Sequence, residues 1–381
     1  MRRILIILRR LQAGGIEQAT ITLANAMAAQ GHEVHVWVLR GDARLTPDPA
    51  VHLHAGGDIE REARRGLLGS SCDLLGRGLL KHLVPGSGFV WTGWRTSALA
   101  KARIAEWESQ YGAFDQILIR GQGAFELLWD LHDPRCWQLV EGPSSKLRHY
   151  RFGGWLAAKL FQDKQVICVS QGIAEVLQQM LSHFSVRPTR QTVIHNGVPL
   201  ARVRQLAQLA QDPPITGRFL VHVARLVPVK DQTLLLRAFK RAELDCKLVI
   251  IGEGSERTVL ERLIQMLELD ERVILLGHQA NPYPWVAGAE AFILSSRTEG
   301  LGLVLIEALA CGTQAVATDV PGGIREVLIE EQTRLLAAHD EAALAAKMRE
   351  ALADPVQILP HWVDRFDDGE IARRFLALIE D

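Results

Sequence analysis

Residues 3–39 read as a strand, a tight glycine turn, a helix and a second strand, and this pattern restricts the fold more than any other in the chain. The run from Arg3 to Leu8 is apolar, and Gln12-Ala13-Gly14-Gly15 breaks it. Residues 16–30 then carry apolar positions at helical spacing, Gly31-His32 stops the helix, and residues 33–39 resume an apolar run. Strands joined by such a crossover are parallel, and parallel sheets are buried on both faces, so helices must cover both sides. Further apolar runs over 116–119, 137–140, 166–169 and 192–195 alternate with helical stretches, so one sheet is expected to extend to about residue 200.

The pattern weakens over a Gln-rich stretch ending Gln211-Asp212-Pro213-Pro214, and residues 201–217 read as a linker. A second series follows, with strands over 219–223, 247–251, 273–276, 291–294 and 314–317 and helices over 232–241, 256–267 and 303–311. A chain of 381 residues suits two such domains. The expected division is 1–200, the linker 201–217, a second domain 218–362, and a stretch 363–381 whose helix, 369–379, returns to the first domain. Two doubly wound sheets in tandem place a ligand cleft between them.

No uncharged apolar run approaches the ~18 residues of a spanning helix, and Arg9 and Arg10 interrupt the apolar start, so neither a spanning helix nor a signal peptide is expected. This predicts a cytoplasmic protein. The five cysteines stand far apart with no C-x-x-C pair, against a disulfide framework or a zinc site. A net charge of −1 divides into +6 over 1–200 and −7 over 201–381. Basic residues concentrate at Arg61, Arg64, Arg65, Arg77, Lys81, Arg95, Lys101 and Arg103, interleaved with leucines and Trp91. Two readings stay open for them: a face for an anionic acceptor or an anionic inner-membrane surface, or a solvated helix face. No nucleic-acid partner is expected.

The chemistry concentrates in residues 295–312, Ser-Ser-Arg-Thr-Glu-Gly-Leu-Gly-Leu-Val-Leu-Ile-Glu-Ala-Leu-Ala-Cys-Gly. This segment leaves a buried strand and opens a helix, so free N–H groups over Gly300, Leu301, Gly302 and Leu303 suit an anionic diphosphate. Glu299 and Glu307, eight positions apart, can reach different parts of one ligand. A carboxylate on the helix can accept both hydrogen bonds of a ribose diol.

Residues 294–320 resemble the donor-site signature of glycosyltransferase family 4, and the likeness continues through Pro321-Gly322-Gly323-Ile324-Arg325-Glu326-Val327. Upstream, Val221-His222-Val223-Ala224-Arg225-Leu226-Val227-Pro228-Val229-Lys230-Asp231 is similar to the same family. The resemblance implies the GT-B architecture, two Rossmann-like α/β domains with a cleft between them. It also implies retaining transfer of a hexose-type sugar from a nucleotide diphosphate to a glycan or lipid-linked acceptor, as in lipopolysaccharide or other envelope polysaccharide synthesis. Under it Glu307 holds the donor ribose, Glu299 contacts the transferred sugar, and Arg225 and Lys230 clamp the diphosphate as negative charge develops on it. Gly252, Gly277 and His278 would line the nucleotide pocket, and Gly14, Gly15 and Glu17 belong to a first loop near phosphate and acceptor.

The sequence departs from the family where relatives carry a histidine after a middle strand of the first domain. Here residues 116–119 are followed by Arg120-Gly121-Gln122-Gly123, which leaves the place to Arg120, Gln122 or the later Glu141-Gly142, with His149 and His195 as further alternatives. His195 reads better as a core histidine. No Asp-x-Asp pair occurs, so the two cations and the helix N-terminus are expected to neutralise the diphosphate without a metal or other cofactor. No carboxylate nucleophile is identifiable, which favours same-face attack. A nucleotide-sugar epimerase of the same architecture and a two-lobed ligand-binding protein remain the alternatives.

Overall fold

The computed structural model describes residues 1–12, 14–65, 84, 87–142, 145–212 and 214–380. The chain forms two compact units, Met1–Gly197 with Asp368–Asp381, and Val198–Asp367.

The first unit is built on a seven-stranded parallel sheet. Its strands are β1 (Arg3–Leu8), β2 (Glu33–Val38), β3 (Val51–His54), β4 (Gln116–Arg120), β5 (Cys136–Val140), β6 (Gln165–Cys168) and β7 (Arg190–Val193), in the order β3-β2-β1-β4-β5-β6-β7. Both faces carry apolar cores, as parallel strands require. Ile4, Ile6 and Leu118 pack on one side with Ile21 and Met27 of the helix Gly15–Ala29, and Leu5, Ile117 and Ile119 pack on the other with Ile104 and Trp107 of the helix Gly88–Tyr111. The last helix, Asp368–Ala377, belongs to this unit. Its Ile371, Ala372 and Phe375 join the first of these cores, and Gln116 donates to the Phe375 carbonyl at 3.0 Å.

The second unit has a six-stranded parallel sheet in the order β10-β9-β8-β11-β12-β13. Its strands are β8 (Phe219–Val223), β9 (Lys247–Ile251), β10 (Val273–Gly277), β11 (Ala291–Leu294), β12 (Ala315–Thr318) and β13 (Leu336–Ala337). In both units the strand order reverses once, between β1 and β4 and between β8 and β11. Loops leaving the carboxyl ends of strands at such a reversal diverge and leave room for a ligand.

Three expectations need correction. The stretch 201–217 is not wholly linker: Leu200–Ala207 is a helix of the second unit, anchored by buried Leu200 and Val203, two apolar residues too few to signal a helix in a polar context. The short edge strands β3 and β13 were not expected, because four and two residues carry little periodicity. His195 is half-buried rather than a core residue. Cys136, Cys168 and Cys246 are buried as free thiols and Cys311 is half-buried, whereas Cys72, Arg77 and Lys81 lie outside the described residues.

Candidate functional site

The second unit brings Lys230 and Glu299 together at the β8/β11 reversal. Arg225 and Lys230 lie on the loop after β8, and Glu299 to Leu303 on the loop after β11. Four contacts join the two loops, and a fifth braces the second. Ser295 Oγ donates to the Lys230 carbonyl at 2.9 Å, and the Arg297 amide donates to the Val229 carbonyl at 2.8 Å. The Arg297 guanidinium stands 2.8 Å from Asp231, and Lys230 Nζ donates to Glu299 Oε1 at 2.6 Å. Ser296 Oγ donates to the same Glu299 oxygen at 2.5 Å. Ser295 and Ser296 are fully buried, so these bonds form where water competes least. Lys230 and Glu299 are therefore positioned as a pair before any ligand arrives.

Buried polar groups fix the first loop from beneath. His222 on β8 is fully buried, its Nδ1 donating to the Ile293 carbonyl at 2.8 Å and its Nε2 accepting from Gln232 at 3.2 Å. Burial holds it neutral, its pKa lowered to about 4. Gln232 also donates to the Arg225 carbonyl at 3.0 Å. Arg225 projects into solvent. Loop approach also explains two glycines. A Cβ at Gly252 would collide with the Ala224 carbonyl, and one at Gly322 with the Glu299 carbonyl, and both have positive φ. Glu299 pairs with Gly322 as an isolated parallel bridge, which links the β11 loop to the turn after β12.

Gly302, with φ of 89°, opens the helix Leu303–Ala310, and no side chain caps that end. Leu301 is buried, Gly300 half-buried, and Glu307 half-buried one turn into the helix. Desolvation pushes the Glu307 carboxyl up to about 7, partly offset by a hydrogen bond with Tyr283. Gly277 ends β10 with positive φ, and the exposed His278 follows it.

In the first unit Gly14 and Gly15 open the first helix at the β1/β4 reversal. A Cβ at Gly15 would meet open space, and the half-buried Glu17 folds back over Gly14. Arg120 is not offered to solvent as an acceptor contact would require. It is 2% exposed and locked by Glu141 (2.8 and 2.5 Å) and by Asn196 (2.6 Å), while Asn196 donates to Glu141 at 2.9 Å. Its Nη1 has no partner. Gln122 is exposed and donates to Glu126 at 3.0 Å. Sequence reasoning missed the roles of Ser295, Arg297 and Asn196, whose partners are remote in the chain, and of Ser296 and Gln232, whose partners are near.

Residues 208–364 match the family described as glycosyl transferases group 1. A Campylobacter jejuni protein named N-acetylgalactosamine-N,N'-diacetylbacillosaminyl-diphospho-undecaprenol 4-alpha-N-acetylgalactosaminyltransferase is 38% identical over 164 residues, 43% of this chain and 44% of that protein. The D-inositol 3-phosphate glycosyltransferase of Thermobispora bispora is 27% identical over 90% of this chain and 82% of its own. The chain spans about two-fifths of the length of the first curated relatives it matches. The crystal structure of Anabaena HepE in complex with UDP superposes with a TM-score of 0.70 at 18% identity, covering all of both chains. The fold is GT-B, two parallel-sheet Rossmann-like units.

Proposed function

We propose that this chain is a nucleotide-sugar-dependent glycosyltransferase of family 4 that moves a hexose-type sugar to a hydroxyl of a glycan or lipid-linked acceptor with retention of configuration. The pairing of Lys230 with Glu299 at the β8/β11 reversal carries the reading, because it sets a cation for the leaving phosphate beside a carboxylate for the sugar hydroxyls. The family match over 208–364 supports the transferase class. The diphospho-undecaprenol in the Campylobacter relative's name supports a lipid-linked acceptor and envelope glycan synthesis.

In this reading the donor diphosphate lies against the Gly300–Leu303 amides, Arg225 and Lys230, and the ribose diol donates to Glu307. The sugar–phosphate bond breaks with its electrons going to the phosphate oxygen. The acceptor hydroxyl attacks from the same face and gives its proton to that oxygen. Fixed positive groups stabilise this charge separation more than they stabilise the bound donor. The reaction runs at the cytoplasmic face without a divalent metal. Among the described residues no helix is long and apolar enough to cross a membrane. The test is turnover with a nucleotide-sugar donor in a chelator. Activity that disappears and returns with a divalent ion would overturn the metal-free mechanism.

A further inference from the structure

The stretch 142–162 contains Lys146, Arg148, Arg151 and Lys159 and not one Asp or Glu. It follows β5 in the first unit. Arg148 and Arg151 are exposed, and three large apolar side chains stand out beside them, Tyr150 and Phe152 each 37% exposed and Trp155 40%. Beneath them the stretch is firmly packed. Leu147 is buried, Leu156, Ala157, Leu160 and Phe161 line the inner face of the helix Gly153–Phe161, and a Cβ at Gly153 would collide with the Leu147 carbonyl. The exposure is thus a property of a fixed surface.

Trp155 and Lys159 lie four apart on that helix, Phe152 is its N-cap residue, and Lys159 is half-buried. The Arg151 guanidinium lies 5.5 Å from the Phe152 ring centre, whereas the Lys159 ammonium sits 4.3 Å from that of the buried Trp129 and 6.0 Å from that of Trp155. Two of the basic residues between 61 and 103 are in a different state. Arg64 reaches Glu60 at 3.5 Å, and Arg103 reaches Glu62 at 3.8 Å and Glu106 at 3.4 Å, so carboxylates cancel much of their field.

We propose that the ridge of Tyr150, Phe152 and Trp155, flanked by Arg148 and Arg151, is a docking surface for an anionic phospholipid membrane. Amphipathic aromatic rings settle at the headgroup level, and arginines beside them meet lipid phosphates while their stems stay apolar. Exposed arginines beside exposed aromatics, in a stretch without Asp or Glu, match the charge of a negative bilayer. This surface goes beyond the transferase reading and stands whether or not that reading holds.

The test is co-sedimentation of the full chain with vesicles of phosphatidylcholine alone or mixed with phosphatidylglycerol. Binding is expected only to the mixed vesicles and should weaken with added salt. Arg148→Gln with Arg151→Gln should lower partitioning roughly 25-fold, since each basic residue near the surface contributes about five-fold. Phe152→Ser with Trp155→Ser should abolish it at any salt concentration. Arg64→Gln with Arg103→Gln should change it by no more than about two-fold, because those arginines are already paired. Unchanged binding in the arginine pair overturns the proposal, and so does an equal loss in the Arg64 and Arg103 control. Should the aromatic pair fail to keep the wild-type melting curve, the arginine pair alone decides. Slower transfer to a water-soluble acceptor with unaltered vesicle binding would assign the ridge to acceptor sugars and also overturn it.

Discussion

Replacing Glu307 by Gln separates what this residue does for stability from what it does for the ligand. Its carboxyl is pushed from 4.5 up to about 7 by burial. The folded protein therefore holds a proton between those values that the unfolded chain has released. The associated stability is fully present below pH 4.5, declines as pH rises to 7, and stays at the lower value above it. At about 1.4 kcal/mol for each tenfold change in proton affinity, the ionised carboxylate costs the empty protein roughly 3 kcal/mol. Glutamine keeps the shape and cannot ionise. Urea denaturation should find Glu307→Gln close to wild type at pH 5 and more stable, by up to roughly 3 kcal/mol, at pH 8. Calorimetry at pH 8 should find nucleotide diphosphate bound more weakly by about 1.5–3 kcal/mol, because a charged acceptor has been lost from the ribose diol. Wild-type affinity should also fall as pH drops below 7, with a flat profile in the variant. A variant that gains no stability at pH 8 and binds nucleotide as tightly as wild type would refute both parts.

Ser295→Ala removes the bond to the Lys230 carbonyl. Steady-state kinetics should show turnover lowered about five-fold, the worth of one hydrogen bond, and no additional loss in a Lys230→Ala background, whereas additive losses would mean Ser295 acts elsewhere. Lys230→Ala should lower turnover on the order of 100-fold while changing the Michaelis constant for donor far less; the reverse pattern contradicts the clamp role. Burial lowers the pKa of His35, and takes those of His54 and His222 down to about 4. Their stability contribution is present above pH 6.5 and is lost as pH falls towards 4, so thermal melts of Glu307→Gln should show a falling midpoint from pH 7 to pH 5, and a level midpoint would refute this.

The fold was legible because parallel strands must be apolar on both faces, and runs such as Ile4–Leu8 and Leu248–Ile251 have few other uses. The β11 loop was legible because Gly300 and Gly302 between two glutamates form a compact local pattern. What escaped was nonlocal. Nothing near Ser295 in sequence says that it holds Lys230, 65 residues away, or that His222 meets Ile293 across the strand pair. Arg120 was a candidate because it stands where relatives of the resembled family carry a histidine, yet Glu141 and Asn196 converge on it from the ends of two other strands. The arginines between 61 and 103 left two readings open, an anionic-acceptor or membrane face and a solvated helix face, and charge counting could not show that Glu60, Glu62 and Glu106 pair with Arg64 and Arg103.

The central claim meets its most direct test when the purified chain is incubated with a panel of nucleotide sugars, with and without a lipid-linked diphosphate acceptor, and free nucleotide diphosphate is measured. The account predicts that one donor releases nucleotide diphosphate rapidly only when acceptor is present, that the sugar appears on the acceptor in retained configuration, and that Lys230→Ala suppresses the release. A donor returned with an inverted hydroxyl and no transfer, or tight nucleotide binding with no turnover, would contradict it.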